Sequence, residues 1–222
     1  MSILIYAESA EGKIKKVALE LASYAKKVAA SMGTTVTAVT INNADNSALA
    51  ACGVDKVLTV TNDKLNNFSA KAYADVIVQA AKKEGTQIVL VSSSTNSLYL
   101  APLVAVALEA GYVSNVVALP ESTSPFQVKR TVFSNKAFNV TEIATPIKVL
   151  GIAKNSFGLV ESASTLAEES FAPSLNDADF GIKVESVEKV SGKVTIADAE
   201  IVVSAGRGMK GPENWGMIEE LA

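Results

Sequence analysis

"QIVLVSSSTNSLYLAPLVAVALEAG", residues 87–111, is the stretch on which the fold turns. Ile88-Val89-Leu90-Val91 is a short apolar run with no polar alternation, the pattern of a strand buried on both faces. It runs into the hydroxyl-rich loop Ser92-Ser93-Ser94-Thr95-Asn96. Leu100, Leu103, Val104, Ala107 and Leu108 then recur at helical spacing and are expected to face inward, and Gly111 is expected to close that helix. Pro102 belongs near the helix start or at a kink, because it lacks the N–H that an interior turn needs.

The same alternation extends upstream. Ile3-Leu4-Ile5-Tyr6-Ala7, Thr35 to Ile41 and Lys56 to Val60 read as strands. Ile14, Val17, Ala18, Leu21, Ala22, Ala25, Val28 and Ala29 mark a helix within Lys13 to Met32, stopped by Gly33. Ser69 suits the N-cap of a helix carrying Ala70, Tyr73, Ala74, Ile77, Val78 and Ala81, closed by Gly85. Strands joined by helices of this length imply βαβ crossovers. The expected class is α/β: a mainly parallel sheet with helices on both faces.

After about Ser114 the rhythm changes. Val128 to Phe133, Phe138 to Ile143 and Ile147 to Ala153 follow one another without a helix-length segment, as antiparallel strands appended to the sheet would. Ser162 to Asp179 reads as an extended crossing or loop, and Ile182 to Val190 as a strand with outward charges. Ser191-Gly192-Lys193 is the expected linker, dividing a domain over residues 1–192 from a segment over 193–222. In that segment Ile201 to Ser204 reads as a buried strand, followed by the turn Gly206-Arg207-Gly208 and the start of a helix.

Composition excludes several classes. The 222 residues carry a net charge of −3, without the basic excess of a nucleic-acid binder. There is no apolar run long enough to span a bilayer and no polybasic tract. The first residues enter a strand without a charged leader, and one cysteine, Cys52, cannot form an internal disulfide; both fit a cytoplasmic location. The count of histidines is 0, which removes Ser-His and Cys-His nucleophiles and most zinc sites.

The candidate binding residues are Gly206, Arg207 and Gly208. Glycines let a backbone approach a ligand, a helix start favours an anion, and Arg207 would add a planar donor fork. The competing reading is a plain turn with a surface arginine. Ser92 to Asn96 stand at the carboxyl end of a parallel strand, where α/β sheets seat ligands, but lack glycines for close phosphate approach. An ordinary capped loop competes there. Asp177 and Asp179 read as solvated acids rather than metal ligands, Cys52 as a small buried residue and Trp215 as packing surface. Lys15-Lys16, Lys26-Lys27 and Lys82-Lys83 read as solvent-facing pairs. No set of residues points to acid–base catalysis or a metal.

These features together resemble the amino-terminal domain of the electron transfer flavoprotein alpha subunit. The resemblance rests on Ile3-Leu4-Ile5-Tyr6-Ala7-Glu8, on Leu98-Tyr99-Leu100-Ala101-Pro102-Leu103-Val104-Ala105, and on Ile201-Val202-Val203-Ser204-Ala205-Gly206-Arg207-Gly208-Met209-Lys210 with Glu213-Asn214. It implies an adenine-nucleotide-hydrolase-like, Rossmann-type α/β fold with a small antiparallel strand layer. It also implies that residues 193–222 open a flavin domain whose remainder is missing, so that the chain is truncated. In the family FAD sits in the complete subunit, and Arg207, with Gly206 and Gly208, is the matching part of its site; the chain alone is expected to retain none. The implied partners are a beta subunit, which carries AMP, flavin dehydrogenases of the acyl-CoA type as donors, and a quinone oxidoreductase as acceptor. The implied role is an electron carrier in fatty acid β-oxidation rather than a self-standing enzyme. A bifurcating variant stays open, as does a small-nucleotide-binding module or hydrolase of the same fold using Ser92 to Asn96. One departure is that Ile147 to Lys154 lacks the arginine the family often places there, which leaves a subunit contact in doubt.

Overall fold

The structure, a computed structural model, describes residues 2–10, 12–182, 184–187, 196, 199 and 201–222. Residues 1–183 and 184–222 form two separate compact units.

The first unit is built in chain order from β1 (Ser2–Tyr6), the small hairpin β2 (Ser9–Ala10) and β3 (Lys13–Ile14), α1 (Lys16–Met32), β4 (Thr35–Ile41), α2 (Ser47–Ala51) and β5 (Lys56–Val60). Then come α3 (Ala70–Glu84), β6 (Ile88–Ser92), α4 (Thr95–Ala107), β7 (Gly111–Val116), β8 (Ser122–Thr123), β9 (Phe126–Val132), β10 (Ala137–Glu142), β11 (Lys148–Ile152) and β12 (Ala167–Ser170). The main sheet runs β10-β9-β7-β11-β6-β1-β4-β5-β12, with β8 paired to β9. From β7 to β12 along that order every neighbouring pair is parallel, and only β8, β9 and β10 add antiparallel pairing.

Period-two alternation splits the central strands between two cores. Ile3, Ile5, Leu90 and Leu150 join Leu21 and Tyr24 of α1, while Leu4, Tyr6, Val89 and Val149 join Ile77 of α3 and Leu100 of α4. Both faces are therefore apolar, as a parallel sheet between helix layers requires. Each such buried side chain stabilises the fold by about 1.5–3 kcal/mol. Gly33 and Gly85 end α1 and α3 at φ 62° and 59°, the left-handed cap geometry the sequence implied.

Several expectations need correction. β11 is not an appended antiparallel strand: it lies parallel between β6 and β7, and its Val149, Leu150, Gly151 and Ile152 are all buried. The chain builds β7 one slot away from β6 and fills the gap with β11 only after β8, β9 and β10. The fourth helix stops at Ala107, and Gly111 opens β7 instead; Leu103 and Ala107, expected to face inward, are exposed, because the buried stripe of the helix runs through Leu100, Ala101, Val104 and Ala105. A Cβ on Gly111 would stand 2.8 Å from Thr145 Oγ1 and against Ile143, so close packing accounts for this glycine. Pro102 sits well inside α4 but on its exposed side, where the carbonyl it leaves unpaired can reach water.

The 162–179 crossing acts as a strap. Ser162 and Ser164 donate their N–H groups to Ala51 and Ala50, β12 then pairs with β5, and Phe171, Leu175 and Phe180 pack on the core under α3. Ser69 precedes α3 as expected, but its hydroxyl donates 2.7 Å to the Asp179 carbonyl instead of capping the helix. Of the strand expected over Ile182 to Val190, Ile182 and Val184 to Val187 are not in a strand, and the rest lies outside the described residues. So do Ser191, Gly192 and Lys193 of the expected linker.

In the second unit, Ile201 to Ser204 form no strand, and Ile201 is 85% exposed. Without a described sheet neighbour, β-branched residues alone do not hold an extended ladder. Two 3-10 turns follow, Arg207–Met209 and Pro212–Asn214, and then α5 (Gly216–Leu221).

Candidate functional site

From β1 the chain winds through α1 to β4 and on to β5; α3 then returns it to β6 on the other side of β1. The winding reverses at the β1–β6 pair, and ligands of open α/β sheets bind beyond the carboxyl ends of such a pair. Glu8 lies just past β1 there. Ser92 ends β6, Ser94 is the N-cap of α4, and Ser97 stands in that helix's first turn.

These four side chains converge. Ser92 Oγ donates to Glu8 Oε1 at 2.6 Å, Ser97 Oγ donates at 2.9 Å, and Ser94 Oγ makes a third, short hydrogen bond to the same oxygen. Ser94 Oγ also accepts the Ser97 N–H at 3.1 Å, which fixes the hydroxyl's orientation. Lys15 Nζ reaches Glu8 Oε2 at 3.4 Å, and the Lys15 N–H donates to the Glu8 carbonyl. Glu8 is only 3% exposed. Burial pushes its carboxyl up, but the serine hydroxyls and the Lys15 ammonium outweigh burial and hold it below the ordinary range. The crevice thus holds an ionised, fully partnered carboxylate.

A second buried carboxylate lies nearby. Glu20 of α1 accepts the N–H groups of Asn155, Phe157 and Gly158, so it anchors the loop that follows β11. Beside this loop a cleft of about 500 Å³ opens between the β9–β10 hairpin and the ends of β7 and β11. Lys129, Phe138 and Lys154 line it, with the Lys129 ammonium 4.6 Å from the Phe138 ring centre.

A family model for the electron transfer flavoprotein domain matches residues 3–176. The chain belongs to the electron transfer flavoprotein family. It is 29% identical to an electron transfer flavoprotein subunit alpha of Thermoanaerobacterium thermosaccharolyticum, an alignment covering 99% of this chain and 69% of the relative. A subunit alpha of Pseudomonas aeruginosa is 26% identical, over 100% of this chain and 70% of the relative. A probable mitochondrial subunit alpha of Caenorhabditis elegans is 27% identical, over 100% and 66%.

Family membership and the serine–carboxylate cluster bear differently on the residues singled out in the sequence. Of Ser92 to Asn96, Ser92 and Ser94 are already engaged by Glu8, while the buried Ser93 hydroxyl has no partner among the described residues. Gly206, Arg207 and Gly208 are all exposed, on or next to a single 3-10 turn of the second unit. Open space surrounds the Cβ positions of both glycines. These three residues alone do not make a flavin cradle: a buried isoalloxazine needs enclosing walls as well as one guanidinium. Asp177 is exposed and pairs with Lys64 at 2.8 Å, but Asp179, expected to be solvated, is buried, because it accepts the Asn176 N–H and pairs with Lys71. No group of metal-ligating side chains occurs among the described residues. Cys52 is buried, and burial pushes its thiol up, away from reactivity. Trp215 is half-exposed at the start of α5. Lys15, Lys26 and Lys83 each hold a carboxylate, so the lysine pairs do more than face solvent.

Neither Glu8 nor Glu20 is assigned a functional role from the sequence. Glu8 did carry a signal: an acid directly after an all-apolar strand of a parallel sheet stands at the ligand end of that strand.

Proposed function

We propose that the chain is the docking body of an electron carrier's alpha subunit and performs no catalysis of its own. FAD, bound in the complete subunit, would supply the redox chemistry by accepting and passing on electrons. Arg207, between Gly206 and Gly208, is the residue of this chain suited to face the cofactor's negative charge, but only when further walls enclose it. The 222-residue chain by itself would hold no flavin. The partners in this reading are a beta subunit of related fold, flavin dehydrogenases of the acyl-CoA type and a quinone oxidoreductase, in the cytoplasm. Among the described residues no helix is long and apolar enough to cross a membrane.

The observation that carries docking is α4. Its inner face buries Leu100, Ala101, Val104 and Ala105, and Leu98, Tyr99, Leu103 and Val106 form a second apolar stripe at helical spacing on the outside. A helix apolar all round is normally buried on all sides. Val106 is nevertheless 79% exposed and Tyr99 66%. An exposed stripe of this kind marks a protein contact. Co-expression with a beta-type subunit should give a one-to-one complex, and Leu103→Asp with Val106→Glu should weaken it while leaving the lone chain folded. Retention of full affinity by that double variant would remove α4 from the interface.

Reading Ser92 to Asn96 as a nucleotide site is less well supported, because two of its hydroxyls already serve Glu8.

A further inference from the structure

We infer that the Glu8 carboxylate fills, from within the chain, an oxyanion site at the β1–β6 crevice that would otherwise take inorganic phosphate or the phosphate of a nucleotide. This goes beyond the docking role and does not depend on it.

Place and donor set agree. The crevice lies where the winding reverses, the position at which α/β sheets seat phosphorylated ligands. Three hydroxyl donors meet on one oxygen, Glu8 Oε1, and an ammonium approaches the other. Several donors on one anionic oxygen with a nearby cation are what a bound phosphate oxygen requires. Two of the donors stand at the N-cap and first turn of the 13-residue α4, an end that favours negative charge.

Occupancy is complete. Glu8 is 3% exposed, so no incoming anion can share the donors without displacing it. A phosphate brought beside an ionised carboxylate would also be repelled in a site of low dielectric. Glu8 therefore has two effects: it ties the end of β1 to the β6–α4 junction, and it closes the crevice to phosphates. Replacing it with glycine removes as many heavy atoms as a phosphate contains, and Glu8→Ala removes one fewer.

The test is anion rescue. The thermal midpoints of the full chain, of Glu8→Ala and of Glu8→Gly are followed in sodium phosphate and in sodium chloride of equal ionic strength. The unaltered chain should respond alike to both salts. Both variants should melt lower in chloride and gain midpoint saturably with phosphate alone, with broadening of the phosphate ³¹P resonance. Adding Ser94→Ala to Glu8→Ala should abolish the gain. If a variant does not fold in chloride, recovery of folded chain on refolding in phosphate counts equally in favour. Absence of any phosphate-specific recovery in both variants overturns the inference. So does saturable binding of phosphate or AMP by the unaltered chain.

Discussion

Replacing Glu20 with alanine tests whether one buried carboxylate holds the loop after β11. Its Oε1 accepts the N–H groups of Phe157 at 2.9 Å and Gly158 at 3.0 Å, and its Oε2 accepts that of Asn155 at 2.9 Å. Hydrogen bonds to a charged group contribute about 1.5–3 kcal/mol each. The loop donors lie partly exposed and can reach water once the acceptor is gone, so the three do not sum in full. The expected loss for Glu20→Ala is about 3–4 kcal/mol, a large share of an ordinary domain's stability of about 5–15 kcal/mol. Glu20→Gln keeps one carbonyl oxygen for Phe157 and Gly158 but turns an NH₂ toward the Asn155 N–H, so about 1.5–3 kcal/mol is expected. Urea unfolding followed by circular dichroism measures both. Amide exchange should rise together across residues 155–160, because the Phe157 ring packs edge-on against Tyr24 and the Val160 N–H donates to Ser23 Oγ. A Glu20→Ala chain within about 1 kcal/mol of the parent, with unchanged exchange in that loop, would refute the reasoning.

Glu8 has its folded pKa lowered, so its stabilisation is fully present above the unfolded value of about 4.3 and lost as pH falls through the folded value. Ser92→Ala with Ser94→Ala should move that acid loss to higher pH in a denaturation series, because burial then dominates. Glu169 is held down to about 2 by Lys56 and Lys83, so β12 should stay protected above the ordinary carboxylate range and lose protection, relative to the intrinsic exchange rate at each pH, as pH drops toward 2. Lys83→Ala should bring that change to higher pH. Gly111→Ala forces a Cβ onto Ile143 and Thr145 and should cost about 1–3 kcal/mol by overpacking, visible as a lower urea midpoint.

The strands and helices of the first half were legible because their periodicity is local. Ile88 to Val91 is apolar on both faces, the stripe from Ile14 to Ala29 has one face, and Gly33 and Gly85 mark the helix ends. The placement of β11 was not legible. Its parallel partners β6 and β7 are remote in sequence, and nothing within Lys148 to Ile152 says that β7 leaves an empty slot. β12 was hidden for a different reason. Ala167-Glu168-Glu169-Ser170 has no strand propensity, and its pairing with β5 is reinforced by Glu169 bridging Lys56 and Lys83. Ile201 to Ser204 show the converse, high β-propensity with no described neighbour to pair with.

The candidate site divides the same way. The serines could be read from the sequence, because hydroxyls clustered after an apolar strand are a local signal. Glu8 carried a positional signal of its own, but its pairing with the serines could not be read, since Glu8 lies 84 residues before Ser92 and meets it only through the register that sets Ile5 beside Leu90. The hydroxyls alone suggest a site waiting for an anion; with Glu8 in place the anion is already supplied. On that inference a sheet of nucleotide-binding architecture is stable without a nucleotide because a carboxylate is buried where a phosphate would sit. The same α4 whose first turn serves Glu8 leaves Leu98, Tyr99, Leu103 and Val106 unburied on its outside, the surface that the docking proposal assigns to a partner.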